Sequence, residues 1–158
     1  MNILSIAKLA FAILFCQMAG VIGSLFVYPS LPWYGSLQKP SFAPPNWLFA
    51  PIWITLFTLM GISLYLVWNK GLETKGVKSA LLIFGIQLVI NTSWNYFFFG
   101  LQSLFYGLVV IIILWVAITL TIILFSKVSK RAGLLLIPYL LWVSIATAAN
   151  YYLWVLNP

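Results

Sequence analysis

The placement of nine charges constrains this chain more than any other feature. Seven Lys, one Arg and one Glu stand at positions 8, 39, 70, 73, 75, 78, 127, 130 and 131, leaving the charge-free stretches 9–38, 40–69, 79–126 and 132–158. A helix needs roughly 20 apolar residues to cross about 30 Å of hydrocarbon. Three of the stretches hold one such span each. The stretch 79–126 is long enough for two, and Gly100-Leu101-Gln102-Ser103 supplies the turn between them. The spacing predicts an all-α membrane protein, a bundle of five transmembrane helices at about 4–27, 46–68, 79–99, 103–126 and 132–155 in a single domain, 1–158. The runs are continuous rather than alternating in polarity, which argues against a barrel.

Composition closes the other routes. With 64% hydrophobic and 6% charged residues, the chain cannot build the polar surface that a soluble fold exposes. A soluble enzyme, a nucleic-acid binder and a disordered chain are all excluded. The apolar run Leu9–Val27 is longer than the 7–15 residues usual in a signal peptide, and bulky Phe15 spoils a lipobox at Cys16. The first run therefore reads as a retained helix, with Lys8 reaching back to the interface. The single Cys16 reads as a small packing residue.

Five spans put the termini on opposite faces. Lys8, Lys70, Lys75, Lys78, Lys127, Lys130 and Arg131 share the N-terminal face, and Lys39 alone lies on the other. This bias predicts a cytoplasmic N-terminus and an outer C-terminus, so the net charge of +7 is an insertion signal and asks for no nucleic-acid partner.

The connection 28–45 is unlike the others. It holds five of the eight prolines, with Trp33, Tyr34 and Phe42 between them. Proline fixes φ and removes donors, so the segment is neither a sheet nor an ordinary helix throughout. It is either a stiff, preshaped cover or an interfacial segment whose aromatics sit among headgroups. Inside the bundle, the third span carries Gln87, Asn91, Trp94 and Phe98 on one face, with Asn95 beside them. The fifth carries Tyr139, Trp142, Ala146, Ala149 and Asn150, and the second Asn46, Phe49, Trp53 and Phe57. The first offers small residues every fourth position, Ala12, Cys16, Gly20 and Ser24, beside Ala19 and Gly23. Amides in hydrocarbon must be paired or face a cavity. Taken singly, these residues read as bundle glue. Their convergence in the outer half, beneath the proline-rich segment, reads as a small-molecule site.

No His and no Asp occur, and Glu73 is the one acidic residue. Acid–base catalysis, a carboxylate metal site and a proton relay lack their groups, and haem iron has no imidazole to ligate it. The remaining chemistry is stacking, amide hydrogen bonds, phenols and the outer Lys39, which suits a flat, hydrophobic ligand with an acidic edge. No metal and no required cofactor are expected.

These residues carry a resemblance. Trp33-Tyr34-x-x-Leu37-x-Lys39-Pro40-x-Phe42-x-Pro44-Pro45, followed by Phe49 and Trp53, resembles the first-loop signature of the TspO/MBR family of tryptophan-rich sensory proteins and translocator proteins. Asn91-x-x-Trp94-Asn95-x-x-Phe98-Phe99-Gly100 and Pro138-Tyr139-Leu140-x-Trp142-Val143-x-x-Ala146-Thr147-x-x-Asn150-Tyr151 resemble its later motifs, so the likeness spans nearly the whole chain. It implies a five-helix bundle, usually a homodimer, that binds protoporphyrin IX, haem, and isoquinoline or benzodiazepine compounds. The family's ligand positions carry over to Tyr34, Trp53, Asn91, Trp94, Trp142, Ala146 and Ala149, with Trp33, Lys39, Pro44 and Pro45 in the covering loop. It also implies candidate roles for Trp53 and Trp142 in a light- and oxygen-dependent degradation of protoporphyrin, and it points to a bacterial cell membrane. The animal cholesterol motif is incomplete here, because no basic residue follows Tyr151 and Tyr152. A porphyrin receptor or sensor is the leading expectation; a transporter and a photo-oxidative enzyme are the alternatives.

Overall fold

The computed structural model describes residues 3–158, and among them the regular secondary structure is all helical. Helix α1 spans Ile3–Val27, and a 3-10 turn, Tyr28–Ser30, leads into a short α2, Leu31–Ser36. Then follow α3 (Asn46–Trp68), α4 (Val77–Asn95) with a π-helical turn at Tyr96–Gly100, α5 (Leu104–Val128), α6 (Lys130–Leu135) and α7 (Ile137–Leu156). Five continuous helical stretches are long and apolar enough to cross a membrane: 3–36, 46–68, 77–100, 104–128 and 130–156. In hydrocarbon each backbone N–H and C=O must be satisfied within the protein, and the helix does this inside one segment.

Three details depart from uniform rods. The proline-rich connection is helical in its first half, because Pro29 and Pro32 sit in the first turns of the 3-10 turn and α2, where the missing N–H costs nothing. The last span is two helices. It breaks at Leu136, since Pro138 has no N–H to return to the carbonyl four residues back. The third span ends in the π turn, which takes up an extra residue per turn.

The helices close a ring in the order α1, α3, α6–α7, α5, α4. The buried stripe of α1 is Ala12, Cys16, Ala19 and Gly23, a 3.6-residue drift rather than a strict every-fourth row. It lets α3 come close: a Cβ at Gly61 would fall 2.5 Å from the Ile13 Cα. The end that carries the basic residues is densely packed. Phe84 and Phe125 stack with centroids 5.4 Å apart, and the Ser63 hydroxyl donates to the Ala132 carbonyl at 2.7 Å, tying α3 to α6. Lys8 reaches over the Trp68 ring at 5.5 Å, and Lys78 pairs with Glu73 at 3.3 Å in solvent.

Candidate ligand pocket

At the opposite end the ring is filled by aromatic rings and roofed by the proline-rich segment. The π turn sends the consecutive residues Phe98 and Phe99 both inward, at 2% and 7% exposure. The roof settles on these two rings. Trp33 meets Phe98 edge-on at 5.7 Å, and Tyr34 tilts over Phe99 at 5.7 Å. The buried Ser30 hydroxyl donates to the Phe99 carbonyl at 2.8 Å. Lys39 Nζ lies 4.6 Å from the centre of the Tyr34 ring, a cation–π contact at the outer edge. Beyond α2 the chain leaves the helix at an extended Leu37, makes a turn in which Ala43 N donates to the Pro40 carbonyl at 3.0 Å, and reaches an extended Pro45 just before α3.

Beneath the roof lies a cavity of about 40 Å³, walled by Tyr34, Pro44, Phe49, Trp94, Phe98, Phe99, Trp142, Ile145, Ala146, Ala149, Asn150 and Leu153. Five expected ligand positions therefore share it: Tyr34, Trp94, Trp142, Ala146 and Ala149. Of the expected cover, Pro44 joins the wall, while Trp33, Lys39 and Pro45 stand behind it. Trp53 and Asn91 are placed one layer deeper. Asn91 Nδ2 donates to the Tyr139 hydroxyl at 2.7 Å, and that hydroxyl donates to Gln87 Oε1 at 3.0 Å. Trp53 packs between Phe57 and Tyr139, with centroids 5.5 and 6.2 Å away. Asn95 turns out of the stripe, donating to the Asn91 carbonyl and pressing against Gly23. Phe49 and Phe99, which stand in the sequence motifs, also belong to the wall, as do Ile145 and Leu153, ordinary apolar residues that only the folded register marks.

Two polar groups on the wall are spent on structure. Trp94 Nε1 donates to Asn150 Oδ1 at 3.4 Å, and Asn150 Nδ2 donates to the Leu104 carbonyl at 2.9 Å. Gly107 makes this possible, since a Cβ there would fall 2.6 Å from the Phe98 ring and 3.1 Å from Asn150 Oδ1. Trp142 is different. It meets Phe49 edge-on at 5.7 Å, and its Nε1 is buried with no hydrogen-bond partner. The wall holds no imidazole, thiol or carboxylate, and its one phenol is that of Tyr34.

A second, larger hollow of about 480 Å³ opens on the outside of the bundle between α1 and α4. Its two aliphatic hydroxyls are turned back on their own helix: Thr92 donates to the Leu88 carbonyl and Ser93 to the Val89 carbonyl. Apart from these and the Tyr96 phenol its lining is apolar, and it is a groove on the outer surface of the bundle, whereas the convergent chemistry lies in the smaller cavity.

Residues 12–155 match the sequence profile of the TspO/MBR family. The chain belongs to that family. It is 45% identical over 154 residues to the tryptophan-rich protein TspO of Chlorobaculum tepidum, covering 97% of this chain and 98% of that one. It is 43% identical over 155 residues to the protein of the same name in Archaeoglobus fulgidus, covering 98% and 99%. The human translocator protein is 40% identical over 136 residues, covering 84% of this chain and 80% of its own. Membership and the five apolar helices together make this a multi-pass membrane protein of the TspO/MBR family.

Proposed function

We propose that this chain is a membrane receptor for flat, hydrophobic, multi-ring ligands of the tetrapyrrole class, protoporphyrin IX and haem among them, held under the proline-rich roof. One observation carries the reading: the buried, unpartnered Trp142 Nε1 in an otherwise apolar, aromatic cavity. A buried donor without an acceptor costs about 1–3 kcal/mol. A ligand carbonyl, ring nitrogen or carboxylate offers that acceptor, and Tyr34, Phe49, Trp94 and Phe98 offer faces and edges for its rings. Lys39, beside Tyr34, is a cation suited to an acidic edge, as on a porphyrin propionate. Isoquinoline and benzodiazepine compounds present the same combination of rings and one acceptor. Asn91 and Trp53 support the reading from below, holding Tyr139 and the cavity floor.

The basic end of the bundle faces the cytoplasm in this reading and the roof faces outward, since basic residues gather on the cytoplasmic side of membrane proteins. The test is a titration of protoporphyrin IX into the full chain in lipid vesicles, followed by tryptophan fluorescence. Saturable quenching that weakens about tenfold in Trp142→Phe is expected. Affinity unchanged in that variant would remove the indole N–H from the binding site.

A further inference from the structure

We infer that the ligand reaches this pocket sideways from the bilayer, through a seam between α3 and α7, while the roof stays shut. This rests on the reading that the pocket takes a flat hydrophobic molecule. A cavity of about 40 Å³ is far below the roughly 300–1,000 Å³ of ligand pockets, so one wall must move before anything binds. The question is which wall yields at least cost.

The roof is tied down. Gln38 N donates to Asn157 Oδ1 at 2.9 Å, and Asn157 Nδ2 donates back to the Gln38 carbonyl at 3.0 Å. Phe42 meets Tyr152 edge-on at 5.5 Å, and Ser30 holds the Phe99 carbonyl in a buried bond. Lifting it breaks hydrogen bonds and exposes Phe98 and Phe99 to water.

The seam has no such ties. Helix α3 is bound to α6 at the basic end, but toward the roof it does not pack closely on α7. Among the described residues no hydrogen bond joins α3 to α7. The ring contacts of Phe49 with Trp142 and of Trp53 with Tyr139 span the gap, and Ala146 and Ala149 leave it narrow-walled. Pro51 removes one backbone bond from the outer part of α3, leaving the Trp47 carbonyl without its helical donor. Ile145 lines the cavity and yet is 46% exposed on the outer surface of the bundle, so cavity wall and lipid-facing surface coincide there. Parting two apolar faces in a bilayer breaks no hydrogen bond, and acyl chains replace the lost contacts at little cost. A flat hydrophobic ligand is also concentrated on that side, because it partitions from water into lipid.

The experiment uses the full chain in phosphatidylcholine vesicles, with protoporphyrin IX as probe and stopped-flow tryptophan quenching as readout. Ile145→Cys is modified with a bulky methanethiosulfonate reagent, and the unmutated chain, whose Cys16 is buried, serves as the labelling control. The adduct is expected to slow association at least tenfold, and reductant to restore it on the same sample, which separates a blocked path from a misfolded protein. A Gln38→Cys/Asn157→Cys disulfide across the roof, and Asn157→Ala that unties it, are each expected to change the association rate less than twofold. Slowing by the roof disulfide, acceleration by Asn157→Ala, or an adduct that lowers the amount bound without slowing its approach would each overturn the route while leaving the pocket reading intact. No saturable quenching in the unmodified chain would overturn both.

Discussion

The two ends of this bundle are built from the same apolar alphabet and differ in how they are finished. At the basic end, side chains from α3, α4, α5 and α6 interlock, Val67, Val77, Phe125 and Ala132 have no exposed surface, and a buried hydroxyl stitches two helices together. At the roofed end, large aromatic rings meet at edges and angles, a loop supplies the lid, and a donor is left over. Dense packing of small and aliphatic groups leaves nothing to move. Rings at angles leave gaps, and Trp142 and Phe49 can turn about single bonds without losing a hydrogen bond. The first end anchors the fold, and the second stays adjustable.

Substitutions at each end should separate these roles. The largest effect on stability belongs to the basic end: Phe84→Ala is expected to cost about 3–5 kcal/mol, read as a lower unfolding midpoint in detergent, with the tryptophan environment near the roof altered only through that loss. A cost under 1 kcal/mol would break the contrast. Trp142→Phe should do the reverse. Removing an unpaired donor leaves stability equal or slightly higher, while ligand affinity falls about tenfold, or about 1.4 kcal/mol. Ser63→Ala should lower the unfolding free energy by about 1 kcal/mol with affinity unaltered, reporting the Ser63–Ala132 bond between α3 and α6. The smallest effect is expected of Asn157→Ala. Its bonds to Gln38 are exposed, so the loss should be about 0.5 kcal/mol, seen as faster proteolysis in the segment 37–45 before any change in the global midpoint. A further measurement sharpens the adjustable end: product formed from protoporphyrin IX in light, counted per protein. Many turnovers would give Trp53 and Trp142 a chemical role, and one turnover with damaged indole would mark them as bystanders.

Much of this was legible in the charges, because hydrocarbon forbids them and so each interval between them measures a span. The family motifs around Trp33–Pro45, Asn91–Gly100 and Pro138–Tyr151 were legible as strings. What escaped was register. The π turn at Tyr96–Gly100 leaves no composition signal, yet it is where Phe98 and Phe99 are both buried. Asn91 and Trp53 looked like wall residues from helical spacing, but Tyr139 offers them a buried hydroxyl and a ring edge, and they are drawn one layer down. The helical first half of the roof was hidden by a rule applied too broadly, since proline opposes helix interiors and suits first turns. The break at Leu136 follows from Pro138, a signal present in the string and overridden by the apolar length of the run.

The pairing of Asn157 with Gln38 has a practical side. Anything joined after Pro158 begins one residue from the tie that holds the roof, whereas anything joined ahead of α1 sits at the far end of the bundle, beside Lys8 and Trp68. A fluorescent or affinity handle placed on the C-terminal side therefore competes for space with the roof, and roof stability measured with it describes a loosened tie. The same handle on the N-terminal side reports on the molecule without leaning on it.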